Sequence, residues 1–265
     1  MGALVLAEGA EFKPPGIADF NLPPLFGSGY WLSFTKPMLL VIMSVVIIAA
    51  FFLIASRRLK VVPGKGQFFA ESIYGFGRNN IARDQIGSKD FKPFIPLILG
   101  LFTFVLVNNF FGIIPFFQFP TMSRIGFPLA LAFLVVYPVY HYVGIKRHGL
   151  GGYLKKELAP SSVPWFVMPL YALIEFAQKF FIAPATLAIR VFAAMFAGHL
   201  IIMVFALGGS FLLTDGEGLV KLASPVGFLF AIAMTFLEAF IQILQAYIFA
   251  FLAAGYIGAA LASEH

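Results

Sequence analysis

The chain has 265 residues, of which 60% are hydrophobic and 11% charged, and its mean hydropathy is +0.92. These values exclude an ordinary soluble globular protein and indicate a membrane protein. Charged residues are absent from six long runs, so we predict an all-α polytopic membrane protein with about five membrane-crossing helices. The runs cover residues 37–56, 93–123, 125–145, 158–174, 191–214 and 239–263.

The net charge of +6 does not indicate nucleic-acid binding, because the basic residues are clustered between apolar runs. Eight of the 18 Lys and Arg residues lie between Arg57 and Lys92, and four more lie within residues 146–156. Basic loops stay on the cytoplasmic side of a membrane. We therefore predict an external N-terminus and a cytoplasmic C-terminus. The first ten residues lack the pattern of a cleaved signal or transit peptide, which favours a bacterial plasma membrane.

The apolar runs predict one membrane domain over residues 1–265, with no separate soluble domain. Residues 1–34 contain two Pro-Pro pairs and predict an irregular external segment lying on the membrane surface. Residues 37–56 have the length of a first span. Residues 57–92 form a cytoplasmic loop in which residues 67–83 suit an amphipathic interfacial helix, although an ordinary loop helix explains them equally well.

The second and third spans are predicted at residues 93–117 and 125–145, with a second cytoplasmic loop at residues 146–160. Asn109 lies near the outer end of the second span. An amide in a span more often joins two helices than lines an ion path, so the residues alone favour a packing role.

The last two segments, residues 164–207 and 224–263, are too long for ordinary spans. At about 1.5 Å per residue, a 40-residue helix is about 60 Å long, twice the hydrocarbon thickness. Each segment is therefore two spans or one steeply tilted helix, and we favour tilted helices. The polar linker at residues 208–221 predicts an external turn between them.

Arg190 stands in the middle of the first long segment, with no other charge from Phe180 to Thr214. A guanidinium cannot lose its charge in a protein, and a charged side chain at the bilayer centre costs at least about 2.5 kcal/mol. Such residues face a protein interior or a wet cavity. Arg190 therefore marks a candidate functional site.

An antiparallel hairpin centred near residue 218 would place His199 level with Glu238, and Arg190 level with Gln245. Arg190 and His199 are nine residues apart, or about 180° around a helix, so they face opposite sides. His and Glu side chains are suited to passing protons. The hairpin thus carries an outer pair and a central arginine.

The same register places three further residues, Glu175, Gln178 and Lys179, near the level of Tyr256, towards the inner end. Glu238, Gln242 and Gln245 follow one another on one stripe of the second helix. Taken singly, each of these residues has a structural explanation, such as helix packing or local charge neutralisation. Several ionisable residues at coinciding levels favour an ion path.

Four motifs resemble subunit a of the F-type ATP synthase, and the resemblance runs from about residue 34 to the C-terminus. The most specific motif reads Pro-Ala-Thr-Leu-Ala-Ile-Arg-Val-Phe-Ala-Ala-Met-Phe-Ala-Gly-His-Leu over residues 184–200, followed by Glu238 and Leu-Gln-Ala-Tyr-Ile-Phe over residues 244–249. The others are Asn-Phe-Phe-Gly-Ile-Ile-Pro over residues 109–115 and Gly-Leu-Gly-Gly-Tyr-Leu-Lys over residues 149–155.

The resemblance implies a tilted helical hairpin wrapped against a rotating ring of c subunits. It implies two offset half-channels that carry protons. The expected partners are the b subunits and the remainder of the F1Fo complex, in which other subunits perform the ATP chemistry. No cofactor or metal is expected in this chain. It also implies roles for individual residues. These are Arg190 facing the c-ring, Gln245 opposite it, His199, Glu238 and Asn109 in the outer half-channel, and Glu175 and Tyr256 in the inner one, with Gln178 where the family often has serine.

Two features depart from the family pattern. Ala194 stands where the family commonly has Asn, four residues after the arginine. The interval from Glu175 to Arg190 is one residue longer than usual, which predicts a local bulge in the helix.

Two other classes of function, a secondary transporter and a membrane-embedded enzyme, would leave different patterns in the sequence. A secondary transporter would show inverted repeats with paired broken helices, and the chain shows no internal repeat. A membrane-embedded enzyme would need more convergent ligands around His199 and Glu238. Sodium instead of protons as the coupling ion remains an open alternative, because selectivity would reside largely in the c subunit.

Overall fold

The computed structural model describes residues 12–20, 22–25, 34–57, 59–158, 164–216 and 218–262. The described part of the chain is helical, and five helices are long and apolar enough to cross a membrane, which confirms the predicted fold class. We number the helices α1 to α6 in chain order. They are α1 (Lys36–Ser56), α2 (residues 65–86), α3 (Lys92–Phe110), α4 (Gly126–Leu158), α5 (Met168–Thr214) and α6 (Ser224–Leu261), and all except α2 are candidate spans.

Helix α6 forms the centre of the fold, because one of its faces is built from small residues. Ala246, Ala250, Ala253 and Ala254 are completely buried there and belong to one apolar core with α3 and α4. Small side chains allow helix backbones to approach closely inside a membrane. Gly258 shows this directly, because a Cβ at this residue would collide with the backbone carbonyl of Gln85 in α2.

Helix α1 packs mainly against α3 and leaves most of its surface uncovered. The buried amide of Asn108 joins the two helices, because its Nδ2 donates to Ser44 Oγ at 2.8 Å and to the Phe104 carbonyl at 2.8 Å. Such a bond between helices stabilises membrane proteins by about 0.6 kcal/mol on average. Asn108 therefore has the packing role that is usual for an amide in a span.

Helices α5 and α6 are each one continuous helix, of 47 residues in α5 and 38 in α6. Neither contains a reversal, so the alternative of two spans in each segment is excluded. Helix α5 extends beyond the predicted end at residue 207, through Gly208 and Gly209 to Thr214. Gly209 stays helical because its backbone packs against Gly227 of α6, and Ser224 Oγ donates to its carbonyl at 2.7 Å.

We expect Gly227→Ala to separate α5 and α6 at the ends that the predicted orientation places outside, near Gly209 and Gly227. A Cβ at residue 227 would lie 3.0 Å from the Gly209 Cα, and neither backbone can yield cheaply. The melting temperature of the purified complex should fall by several degrees. Gly100→Ala is the matched control, because a Cβ on this helical glycine meets nothing within 4 Å. Equal melting temperatures for the two variants would contradict the close crossing.

A break at Gly149 divides α4, where the sequence predicted a span followed by a loop at residues 146–160. Gly149 has φ +72°, in the region that favours glycine, and the chain folds back there. The ring of Tyr153 then occupies the space beside Gly144 that a Cβ would fill. The returning segment, residues 150–158, is helical and carries Glu157 into the protein interior.

The second span ends at Phe110, earlier than the predicted residue 117. The chain turns there because Gly112 lies against Pro120, where a Cβ would approach the proline ring to 2.9 Å. The uncharged run is longer than the helix because residues 119–123, which follow the turn, are also buried against the spans.

In the described part of the N-terminal segment, residues 12–20 and 22–25, the chain reaches helix α5. Phe20 is 5% exposed, and its ring lies 4.6 Å from that of Phe196 and 6.0 Å from that of His199 in α5. Arg124 holds this segment in place, because its guanidinium donates to the Phe20 carbonyl at 3.0 and 3.3 Å. The prediction of a segment on the membrane surface is therefore wrong at Phe20, which is held by a contact between residues 104 positions apart.

A π-helical turn at Gln178–Ile182 interrupts α5 between Glu175 and Arg190. A π turn accommodates one additional residue within a helix. The predicted bulge in this interval is therefore confirmed, and the helix continues as a regular α-helix from Ala183 through Arg190.

Candidate functional site

Arg190 projects from the exposed face of α5, on the side away from the core. No hydrogen bond or ion pair of its guanidinium occurs within the described ranges. In contrast, His199 is 7% exposed and lies on the buried side of α5, as expected for a residue about 180° around the helix from Arg190. Because a charged side chain within a membrane-spanning helix needs a polar partner or water, the exposed face around Arg190 is a candidate surface for another protein.

A groove of about 380 Å³ runs between α5 and α6 on the face that carries Arg190. Its α5 wall begins with Ala194, one turn beyond Arg190. Its α6 wall includes Glu238 and Gln245. The small side chain of Ala194 thus leaves space in the groove opposite the Gln245 side chain. The groove contains two polar side chains and is otherwise apolar. It is lined by Ala194, Ala197, Gly198, Ile201, Met234, Leu237, Glu238, Ile241, Leu244 and Gln245.

Glu238 is 2% exposed and lies against Gly198, the residue before His199. A Cβ at residue 198 would lie 3.4 Å from Glu238 Cγ, so glycine leaves room for the carboxyl group. Gln242 Nε2 donates to Glu238 Oε1 at 3.1 Å. Glu238 Oε2, His199 Nδ1 and Gln242 Oε1 are buried without a hydrogen-bond partner.

Unpaired buried polar atoms are rare in proteins, because leaving one unsatisfied costs about 1–3 kcal/mol. Their concentration in the outer halves of α3, α5 and α6 indicates a polar path that water or a proton can satisfy. Asn109 belongs to this set, because both of its side-chain polar atoms are buried and unpaired. Its neighbour Asn108 differs, because only its Oδ1 is unpaired and its Nδ2 bonds to Ser44 and to the Phe104 carbonyl.

A second cavity, of about 520 Å³, opens at the inner ends of α4, α5 and α6. Gln178 and Tyr256 both line it, and the Tyr256 ring lies tilted against the Tyr137 ring with ring centres 5.4 Å apart. Thr186 also lines it and lies one turn before Arg190 on α5. The cavity therefore reaches to within one helical turn of the arginine from the inner side.

A charge cluster forms one wall of this inner cavity. Lys179 Nζ lies 2.7 Å from Glu157 Oε2 and 2.8 Å from Glu175 Oε1. The Glu157 carboxylate also accepts a hydrogen bond of 2.8 Å from the Tyr140 hydroxyl. The cluster holds two carboxylates and one ammonium, and the ammonium of Lys156, which also lines the cavity, balances the charges.

Glu157 was missed by the sequence analysis, which placed it in a cytoplasmic loop. It is 4% exposed, and the fold-back at Gly149 carries it against Lys179. No local pattern distinguishes it, because the other basic loop also contains acids, namely Glu71, Asp84 and Asp90. Lys156, beside it, donates to the carbonyls of Ala259 and Ala262 and so binds the end of α6.

The predicted site residues thus fall into three groups in the structure. His199, Glu238, Gln242 and Asn109 lie in the outer half, and Arg190 and Gln245 lie in the middle. The inner group consists of Glu175, Gln178 and Tyr256.

Comparison with known proteins gives a consistent result. The sequence profile of the family described as ATP synthase A chain matches residues 38–258. The ATP synthase subunit a of Pseudarthrobacter chlorophenolicus is 45% identical over 99% of this chain and 98% of its own length. That of a Nocardioides species is 42% identical over 98% and 96%, and that of Streptomyces lividans 40% over 97% and 91%. The chain therefore belongs to the ATP synthase subunit a family.

Proposed function

We propose that this chain is the proton-conducting stator subunit of an F-type ATP synthase, with two offset half-channels that meet the c-ring near Arg190. One observation carries the proposal. The groove beyond Ala194 and the cavity ending at Thr186 approach Arg190 from opposite sides, each to within one helical turn.

The outer half-channel runs past Asn109, His199 and Glu238. The unpaired atoms of these side chains support this assignment, because a path for protons requires groups free to exchange hydrogen bonds. Glu238 connects the buried His199 side to the groove on the Arg190 face. A proton that reaches the groove neutralises a carboxylate on a c subunit, which can then rotate through lipid.

The inner half-channel is the cavity lined by Gln178, Thr186 and Tyr256. The carboxylates of Glu157 and Glu175 offer acceptors along this wall to a proton released from a c subunit. The positive charge of Arg190 stabilises the ionised c-subunit carboxylate and opposes a direct leak between the two paths. This mechanism uses the burial pattern of α5, with Arg190 on the exposed face and His199 on the buried one.

The assembly follows from the same surfaces. The exposed face of α5 and α6 binds the c-ring, and the uncovered face of α1 is available to the b subunits. The basic loops support an external N-terminus and a cytoplasmic C-terminus in a bacterial plasma membrane. In this arrangement α5 and α6 are tilted, because each is longer than the hydrocarbon core is thick.

The test uses two cysteines placed one turn on either side of Arg190, since the native chain contains no cysteine. We expect Thr186→Cys to react with a membrane-impermeant thiol reagent added to the cytoplasmic side, and Ala194→Cys to react from the external side. The reagent is applied to inside-out and right-side-out vesicles containing the whole complex, with other reactive cysteines removed. Labelling of both positions from the same side would exclude two separate half-channels.

A glutamine at residue 238 tests the outer path. We expect Glu238→Gln to lower ATP-driven proton pumping by about 100-fold, the lower end of the usual effect of removing a proton-transfer group. Thr235→Ala is the control, because Thr235 lies one turn away on α6 and its hydroxyl only donates to the Ala231 carbonyl. Pumping at the level of the unmodified complex in Glu238→Gln would remove this carboxylate from the path.

A further inference from the structure

A third cavity, of about 420 Å³, lies at the inner end of α1 and takes no part in the proposed proton path. Its apolar wall is Phe51, Ile54 and Ala55 of α1. Its polar wall is the linker to α2 and the first turn of that helix, including Lys60 and Lys65. The cavity therefore crosses the boundary between the apolar core of the membrane and the basic cytoplasmic loop.

The polar wall is held in a defined shape by Gln67. Its Oε1 accepts from the Lys60 backbone N–H at 3.1 Å, and its Nε2 donates to the Lys60 carbonyl at 2.9 Å and to Glu71 Oε1 at 2.7 Å. The apolar wall is held as well, because Phe51 packs edge-on against Phe69 of α2 with ring centres 6.0 Å apart. The cavity is a built feature of the junction between α1 and α2.

The charges around this cavity favour an anion. Within the described parts of the chain, neither the Lys60 nor the Lys65 ammonium has an ion pair or a hydrogen bond. Glu71 is the neighbouring carboxylate, and it already accepts from Gln67. The first turn of α2 adds backbone N–H groups, because its N-cap, Gly64, supplies no side-chain acceptor.

The apolar wall identifies the kind of anion. Ile54 is 70% exposed and belongs to the lipid-facing surface of α1, so the wall continues directly into the membrane. A soluble anion would leave this wall uncovered, whereas an acyl chain would cover it. Basic pockets at the cytoplasmic ends of membrane helices are suited to anionic lipid headgroups.

We propose that this cavity binds an anionic phospholipid, with its phosphate between Lys60 and Lys65 and one acyl chain along Phe51 and Ile54. The bound lipid would fill the junction between α1 and α2 and fix the interfacial helix against the membrane. The proposal rests on the cytoplasmic position of the basic loop and is independent of the half-channels.

The test compares two photoactivatable lipid probes, a phosphatidylglycerol and a phosphatidylcholine, in vesicles containing the whole ATP synthase complex. Labelling is measured by mass spectrometry on the peptide that covers residues 51–67. We expect the anionic probe to label this peptide several-fold more strongly than the zwitterionic probe. Equal labelling by the two probes would overturn the proposal.

Variants separate this cavity from general attraction to basic loops. Each basic residue near an anionic surface contributes about fivefold to binding, so K60Q/K65Q should weaken labelling about 25-fold. K89Q/K92Q is the matched control, because it removes the same charge from exposed lysines elsewhere in the loop, and labelling should persist. Equal losses in the two double variants would overturn the proposal.

A third variant keeps both lysines and fills the cavity. Gly66 lines it, and a Cβ there meets nothing within 4 Å, so Gly66→Leu should leave the helix intact and abolish labelling. Persistent labelling in this variant would place the probe outside the cavity. Excess inorganic phosphate should not reduce labelling, and displacement by phosphate would assign the site to a free anion.

Discussion

Vesicles that contain the complex with Arg190→Ala are expected to show no ATP-driven proton pumping. The guanidinium lies on the exposed face of α5 between the two cavities, without a partner inside the described chain, so in the proposed function its charge acts on a c subunit. Without this charge, a c-subunit carboxylate loses its stabilising partner, and protons can pass between the two paths. Pumping is measured as quenching of a pH-sensitive dye after ATP is added.

The control for this experiment is Arg147→Ala, because Arg147 is an exposed arginine in the inner basic region, away from both cavities. It should pump at the level of the unmodified complex. The soluble sector released from washed vesicles should hydrolyse ATP at the same total rate in all samples, which shows that equal amounts of the complex were assembled. Normal pumping in Arg190→Ala would contradict the proposed function and leave the arginine with a structural role only.

Replacement of Lys179 by methionine is expected to have the largest effect on stability. The ammonium contacts both Glu157 and Glu175, and the Glu157 side chain is only 5% exposed. Removing one partner of a fully buried pair costs about 3–5 kcal/mol, and we expect about 2 kcal/mol here because Lys179 is 31% exposed. The amount of the subunit in membranes and the melting temperature of the complex should both fall.

Two variants identify the cause of that loss. Lys179→Arg keeps the positive charge and should retain most of the stability, because a guanidinium can contact two carboxylates. Adding Glu157→Gln to Lys179→Met should recover part of the loss, since it removes one of the uncompensated buried charges. If the double variant is less stable than Lys179→Met alone, the charge-pairing explanation is wrong.

The fold class was predictable from the sequence because apolar runs between basic loops leave few other arrangements. The ends of the helices were less predictable. Gly208 and Gly209 resemble the start of a turn, and yet α5 continues through them. Their conformation depends on the backbone of Gly227, a residue on another helix, and this contact has no signature in the local composition.

The site shows the same division between local pattern and distant contact. Arg190 could be found from its own neighbourhood, because a charge in an apolar run requires an explanation. Glu157 could not, because its partner Lys179 lies 22 residues later and meets it only after the chain folds back at Gly149. Likewise, the different hydrogen bonding of Asn108 and Asn109 depends on which amide Ser44 can reach.

The π turn at Gln178–Ile182 makes the length of α5 adjustable at one place. Deleting a single residue there would convert the wide turn into an ordinary α-helical turn, while the helix from Ala183 onward would keep its direction. Chains that differ by one residue in the middle of a transmembrane helix can therefore present the same arginine to the same partner. An alignment of such chains should place its gap in this turn, where a gap inside a span would otherwise be penalised.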